Sequence, residues 1–365
     1  MGLKCGIIGI TNTGKTTLFN CISETKVATS NFAFSTNKSN LGQVKVPDER
    51  LLKLDSLIHS ARVMPTTVDV VDIPGLTKGS SKGEGIGNSF LADIRNCDAL
   101  IHVVRCFDDP NLPHIDTTIN PVRDRETIDL ELQVKDLDAI DKRILKLEKS
   151  VKAGDKASKH GLEVVTRIKT HLEDFKNVRT LHLSREDEEH IAELCLLTAK
   201  PVIYVCNVDE KSAVTGNMYS NRFIESIQGE KTETLIIAAK AESEIAELED
   251  PEDRLAFLSE LQLDEPGVNK LIRSAFSILN LEVFFTAGPK EVRAWTIRKG
   301  ATAPQAAGVI HSDLQRGFIR AEVIQYKDYI TFKTEAACRE AGKLFIEGKN
   351  YIVEDGDILH IRFNV

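Results

Sequence analysis

Eight residues near the start of the chain, Gly9-Ile10-Thr11-Asn12-Thr13-Gly14-Lys15-Thr16, have the types and spacing of a loop that wraps phosphate. They read G-x-x-x-x-G-K-T, directly after the apolar run Cys5-Gly6-Ile7-Ile8 and directly before a helical pattern of Leu18, Phe19 and Ile22. Strand, loop and helix in that order are the setting this motif requires. The glycines let backbone N–H groups turn inward, and the helix N-terminus adds positive potential. Asn12, Thr13, Gly14, Lys15, Thr16 and Thr17 are the expected nucleotide contacts, with Lys15 at the β- and γ-phosphates and the Thr16 hydroxyl on Mg²⁺.

The other parts of a hydrolytic switch follow along the chain. Thr36, closing the stretch Asn31–Thr36 that reads as a mobile loop, is a candidate second hydroxyl ligand for Mg²⁺. The β-branched run Thr67–Asp72 ends in Asp72-Ile73-Pro74-Gly75. That suits a carboxylate held against an Mg²⁺-bound water and a Gly75 N–H at the γ-phosphate. Beyond it the chain is glycine-rich, with Gly79, Gly83, Gly85 and Gly87, which suits an order–disorder switch. Leu76 stands where Ras-like hydrolases place a water-orienting Gln, and an apolar side chain cannot orient water. His114, in the polar loop after the strand Ala99–Cys106, could take that role; on the residues alone a solvated loop histidine is the better reading. The apolar strand Pro201–Cys206 delivers Asn207-Val208-Asp209-Glu210 at its carboxyl end, where a doubly wound sheet holds its ligand. Guanine-specific proteins carry Asn-Lys-x-Asp there. Val208 in place of Lys and the longer Glu210 in place of Asp would mispair the guanine edge at a cost of roughly 1–3 kcal/mol, enough to remove most preference for guanine.

The elements needed to position these residues are those of an α/β protein: a doubly wound, mainly parallel sheet over 1–119 and 201–280. Between its halves, from 120 to 200, the pattern becomes helical. Leu130, Leu137, Ile144 and Val151 recur every seven residues with Ile140 and Leu147 between them, and Gly154-Asp155 breaks the run. Val165, Ile168, Leu172 and Phe175 then repeat at helical spacing, which predicts an antiparallel coiled-coil hairpin. Ser184 and Asp187 start a further helix carrying Ile191, Leu194 and Leu197. From 281 to 365 the chain is β-rich, with strands expected at 283–286, 292–297, 318–323, 351–353 and 358–363 and a helix from Thr302. This is similar to a ubiquitin-like β-grasp module, whose default reading is an interaction surface.

A net charge of −8 argues against general coating of nucleic acid. From Asp141 to Arg179, however, eleven Lys and Arg stand against six Asp and Glu, so one helical arm is basic on an acidic body. A solvated charged face and a contact for RNA phosphates both account for it. Seven scattered cysteines without a C-x-x-C pair suit a reducing compartment. No apolar run spans a bilayer and no secretory signal is expected, so the expected location is cytoplasmic.

Taken together, the chain resembles the YchF family, the Obg-like ATPases of the translation-factor group of P-loop proteins. The stretches that carry the resemblance are Gly9–Thr16, Asn31–Thr36, Asp72–Gly75 with the run to Asn88, His102–Phe107, Asn207–Glu210 and the tail from Phe284 to Val365. Within the tail, Lys290–Ile297 and Ala301–Gly308 are especially specific. The resemblance implies a Mg²⁺-dependent nucleoside triphosphatase of low intrinsic turnover that accepts ATP in preference to GTP. It further implies a C-terminal TGS domain, a ribosome partner reached through the arm and tail, and action of His114 on the hydrolytic water. Through Asn12 it also implies K⁺. A monomer that binds no membrane is expected. The phosphate loop departs from the family's usual Leu-Pro-Asn-Val, with Ile10-Thr11-Asn12-Thr13, and ends in Thr16 rather than Ser. Two other readings fit the residues: an Obg-type GTPase, and a ribosome- or RNA-binding module in which nucleotide is only structural.

Overall fold

The computed structural model describes residues 3–23, 27, 39–75 and 86–364, the side chains at 86–89 and 156–157 apart. Thr36, Leu76 and the glycines at 79, 83 and 85 lie outside the described residues.

Twelve strands are described: β1 (Lys4–Ile8), β2 (Asn40–Lys45), β3 (Val63–Met64), β4 (Thr67–Asp72), β5 (Ala99–Arg105), β6 (Val202–Asn207), β7 (Glu233–Ile237), β8 (Leu281–Ala287), β9 (Val292–Arg298), β10 (Phe318–Gln325), β11 (Phe345–Glu347) and β12 (Asp357–Phe363). They form two sheets, β2-β4-β1-β5-β6-β7 and β11-β10-β12-β8-β9-β3. In the first, β4, β1, β5, β6 and β7 run parallel. Every residue of β5 and β6 is buried, as a parallel sheet covered on both faces demands. Because these strands share one direction, the loops after β1, β4, β5, β6 and β7 emerge on one edge. This is the doubly wound scaffold that the sequence predicts.

The helical hairpin is present as Pro121–Lys152 and Lys156–Glu173. Gly154, at φ +92°, turns the chain between them, a left-handed conformation suited to glycine. Ile140, Leu147, Val165, Ile168 and Leu172 form its core with Val178, Ile191 and Leu196. Three expected seam residues do not join it: Val151 lies outside the cluster, Phe175 is 76% exposed and Leu130 45%. Ile128 and Leu132 take the buried positions beside Leu130, packing on the sheet's core instead. The seam shifts there because the first turns of the long helix face the sheet rather than the second helix. A buried ion network fixes this root. Asp129 pairs with Arg125 and with Arg179, Arg179 donates to the Tyr204 hydroxyl at 3.1 Å, and Arg125 pairs with Glu230.

The chain divides into two compact units, Met1–Gln43 with Asp69–Leu271, and Val44–Val68 with Ile272–Val365. This differs from the expected division in three respects, the first being that the C-terminal part of the second unit begins at 272 rather than 281. The helical segment belongs with the nucleotide-type sheet, through the network just described. The segment 44–68 goes with the C-terminal sheet, because β3 pairs in parallel with β9 and Arg50, beside the Phe285 ring, bonds Asp355 at 2.6 Å. Within that unit, β12 runs parallel to β8 between antiparallel pairs, and the helix Ala303–Ile310 packs on the sheet. Its start carries a capping box between Thr302 and Gln305. The strand expected at 351–353 reduces to one bridge between Ile352 and Thr302, and β11 takes the place beside β10.

Candidate nucleotide site

Gly9, Asn12 and Gly14 lie at positive φ between β1 and the helix Lys15–Ile22 and fold the loop into a compact turn. Thr13 is buried and its hydroxyl donates to the Ile10 carbonyl at 3.2 Å. Lys15 is buried, and its ammonium donates to the same carbonyl at 2.6 Å. Burial pushes that ammonium down to about 8, with the charge of Asp72 opposing the shift. Gly75 sits above it: a Cβ there would come within 3.1 Å of the Lys15 Nζ and 2.9 Å of the Thr11 Cγ2. Lys15 and Gly75, distant in sequence, therefore share one place.

Asp72 ends β4, opposite Ile7 of β1. Its Oδ2 accepts from the Thr16 hydroxyl at 2.9 Å, while its Oδ1 is buried with no hydrogen-bond partner among the described residues. Burial raises its pKa, against the Thr16 bond and the charge of Lys15. A carboxylate and a hydroxyl in contact, with one buried oxygen unsatisfied, are a donor set that fits a hard divalent cation such as Mg²⁺.

Asn207, at the end of β6, holds the loops rather than standing open. Its Nδ2 donates to the Thr13 carbonyl at 2.8 Å and its Oδ1 accepts from the Ala239 N–H at 2.9 Å. Val208 is buried, and Glu210 begins a short 3₁₀ turn. Thr17 lies in the first turn of the loop helix.

His114 is not a solvated loop residue. Its side chain is 3% exposed; Nδ1 accepts from the Asp116 N–H at 3.1 Å, so Nε2 carries the proton and donates to Asp124 at 2.9 Å. Asp124 belongs to the first turn of the long helix. The preceding residue is tied to the phosphate loop: Asn12 Nδ2 donates to the Pro113 carbonyl at 3.1 Å. Sequence reasoning missed two residues here. Asp124 is one, and Arg105 is the other. Arg105 is 1% exposed at the end of β5, lies over the Phe107 ring and donates to the Phe107 carbonyl, setting the course of the loop that carries His114. A buried arginine at the carboxyl end of a central strand was the signal available.

A glycine-rich loop at the carboxyl edge of a parallel sheet, with an aspartate ending the neighbouring strand, defines a P-loop nucleotide-binding protein. The family model described as 50S ribosome-binding GTPase matches residues 4–147, and the one for the YchF-type GTPase C-terminal region, described as a protein of unknown function, matches 281–364. The chain is 47% identical to the ribosome-binding ATPase YchF of Pasteurella multocida and 45% identical to that of Bacillus subtilis, with 100% of each chain covered. The solved structure of the Schizosaccharomyces pombe YchF GTPase matches with a TM-score of 0.87 at 36% identity, over 99% of this chain and 98% of that one. The chain belongs to the YchF family.

Proposed function

We propose that the chain is a Mg²⁺-dependent nucleoside triphosphatase that hydrolyses ATP in preference to GTP, slowly unaided, and serves as a ribosome-associated nucleotide switch. The observation that carries the reading is the meeting of Lys15, Thr16, Asp72 and Gly75 at one edge, with a buried Asp72 oxygen left unsatisfied. Lys15 would bind the β- and γ-phosphates, exchanging its Ile10 partner for phosphate oxygens. Thr16 and Asp72 would hold Mg²⁺, which when bound neutralises developing phosphate charge. Thr36 is proposed as the further hydroxyl ligand, and Gly75 as the sensor of the γ-phosphate. The relatives' names support the ribosome as partner, and the exposed Lys146, Lys149 and Lys152 of the arm suit RNA phosphates. Among the described residues no helix is long and apolar enough to cross a membrane.

The base preference rests on Val208 and Glu210, and the names of the relatives differ on it: the curated ones are called ATPases, the solved one a GTPase. Calorimetric titration with ADP and GDP in Mg²⁺, in K⁺ and in Na⁺ buffers, tests it. ADP binding tighter by tenfold or more, about 1.4 kcal/mol, is expected, with the margin narrowed in Glu210→Asp. GDP binding tighter by that factor would move the chain to the GTPase reading.

His114 is proposed to position the hydrolytic water, which requires the ring to leave Asp124. Asp124→Ala is expected to raise single-turnover phosphate release by about tenfold, the equivalent of one buried charge-assisted hydrogen bond of roughly 1.5 kcal/mol no longer holding the resting ring. The gain should vanish in the double variant with His114→Ala. A gain that persists without His114 would remove the histidine from the mechanism.

A further inference from the structure

The arm carries a cluster that the nucleotide chemistry does not use. His160 lies in the helix Lys156–Glu173, and Glu186 and His190 lie in the short helix Arg185–Ile191 that packs beside it. One ligand atom from each of the three lies within 4.8 Å of the other two. The two imidazoles meet edge to face, with ring centroids 5.1 Å apart. We propose that His160, Glu186 and His190 form a transition-metal site, of the kind that takes Zn²⁺, which ties the second helix of the arm to the helix that follows it.

Two observations separate this cluster from ordinary surface histidines. First, the His160 Nε2 is buried and has no hydrogen-bond partner among the described residues. It stands 3.3 Å from the Asp187 Oδ1, an ion-pair distance without hydrogen-bond alignment. Second, Asp187 is fixed in place beside it, its Oδ2 accepting from the Ser184 N–H at 3.1 Å and from Arg167 at 2.8 Å. Asp187 faces the same Nε2, so a fixed carboxylate adds negative potential at the point where a cation would meet the ring. A second cluster, His114 with Asp116 and Asp124, is also within 4.8 Å. There, however, both ring nitrogens already have partners, so the contrast isolates His160.

The chemistry of the donors selects the ion. Two neutral imidazoles and one carboxylate favour Zn²⁺ over Mg²⁺ or Ca²⁺, which take oxygen ligands. Tetrahedral ligands at roughly 2.0–2.1 Å from Zn²⁺ stand about 3.3 Å apart, so a cluster whose ligand atoms lie within 4.8 Å must contract by at most about 1.5 Å. The exposed Glu186 side chain can supply most of that movement. The bridge would close the segment between His160 and His190, whose Val165, Ile168, Leu172 and Ile191 already share the arm's core.

The test uses the full chain, stripped of metal by EDTA, in a Cys195→Ser background that removes the exposed thiol as a competing ligand. Titration with ZnCl₂ should show one saturable site of micromolar affinity, and titration with MgCl₂ in the absence of nucleotide should leave that site unfilled. His160→Gln, Glu186→Gln and His190→Gln should each weaken Zn²⁺ by tenfold or more, while His59→Gln and His182→Gln should not. On the unmutated chain, Zn²⁺ should protect His160 and His190 from acylation by diethyl pyrocarbonate, read by peptide mass spectrometry, with His59 and His182 still modified. This second readout needs no variant to fold. Absence of a saturable site, unchanged affinity in the His160 and His190 variants, or equal modification of those two rings with and without Zn²⁺ would each overturn the assignment.

Discussion

Lys15→Ala is expected to lower single-turnover phosphate release from Mg²⁺ and ATP about a thousandfold, close to background, while leaving the fold in place. A thousandfold is about 4 kcal/mol of lost transition-state stabilisation, the upper range for removing one preorganised charged donor from a site closed to water. Lys15 is such a donor. It is buried, aimed into its own loop, and lies against the backbone of Gly75. The loop does not depend on it for shape, because Thr13 also donates to the Ile10 carbonyl and Asn207 to the Thr13 carbonyl. Circular dichroism and thermal unfolding should therefore match the parent protein closely. Phosphate release by the variant at the parent rate would show that this lysine does not touch the transferred phosphate, and would favour a structural role for the nucleotide.

Much of this site could be read from the chain because its residues lie on the local scale. A phosphate loop is eight consecutive residues whose φ requirements select glycine, and a buried strand ending in Asp72 announces its carboxylate. Continuous apolar runs and a period-seven pattern placed the parallel strands and the hairpin for the same reason. What escaped were long-range effects. Leu130 keeps the heptad spacing yet is exposed, because the partner of that part of the helix is the sheet and spacing does not name a partner. The segment 44–68 looked like a continuation of the first domain. Its placement depends on a two-residue pairing with Val292 and Arg293, far along the chain.

His114 is the clearest case within the site. A histidine flanked by Pro113 and Asp116 in a polar loop has the composition of a solvent-exposed residue. Its burial comes from Asp124, ten residues on, being turned back by the N-terminal turn of the long helix, and from Asn12 gripping Pro113 a hundred residues away. The same contacts join the phosphate loop, the histidine and the root of the arm in one hydrogen-bonded series. A shift of the arm's first turn would therefore be felt at His114 and, on the role proposed for it, at the hydrolytic step.

Gly14→Ala is expected to weaken Mg²⁺–ADP by at least a hundredfold, and the way it does so can be separated into two parts. Gly14 has φ +93°, where an L side chain costs roughly 1–2 kcal/mol. In addition, the new Cβ would stand 2.3 Å from the Asn207 Nδ2. Asn207 would have to move, giving up its bonds to Thr13 and Ala239, each worth about 1 kcal/mol and more if a buried group is left unpaired. The sum, about 3–5 kcal/mol, exceeds the roughly 2.8 kcal/mol that a hundredfold requires. Asn207→Ala alone should cost only the second part. In the double variant the clash is gone and the Asn207 bonds are lost only once, so its loss should fall short of the sum of the single losses by about 2–3 kcal/mol, the signature of two residues in contact. Calorimetric titration of the four proteins with ADP measures this directly. Strict additivity would mean that Asn207 and Gly14 do not touch in the nucleotide-bound state, and that Asn207 turns to the base when nucleotide arrives.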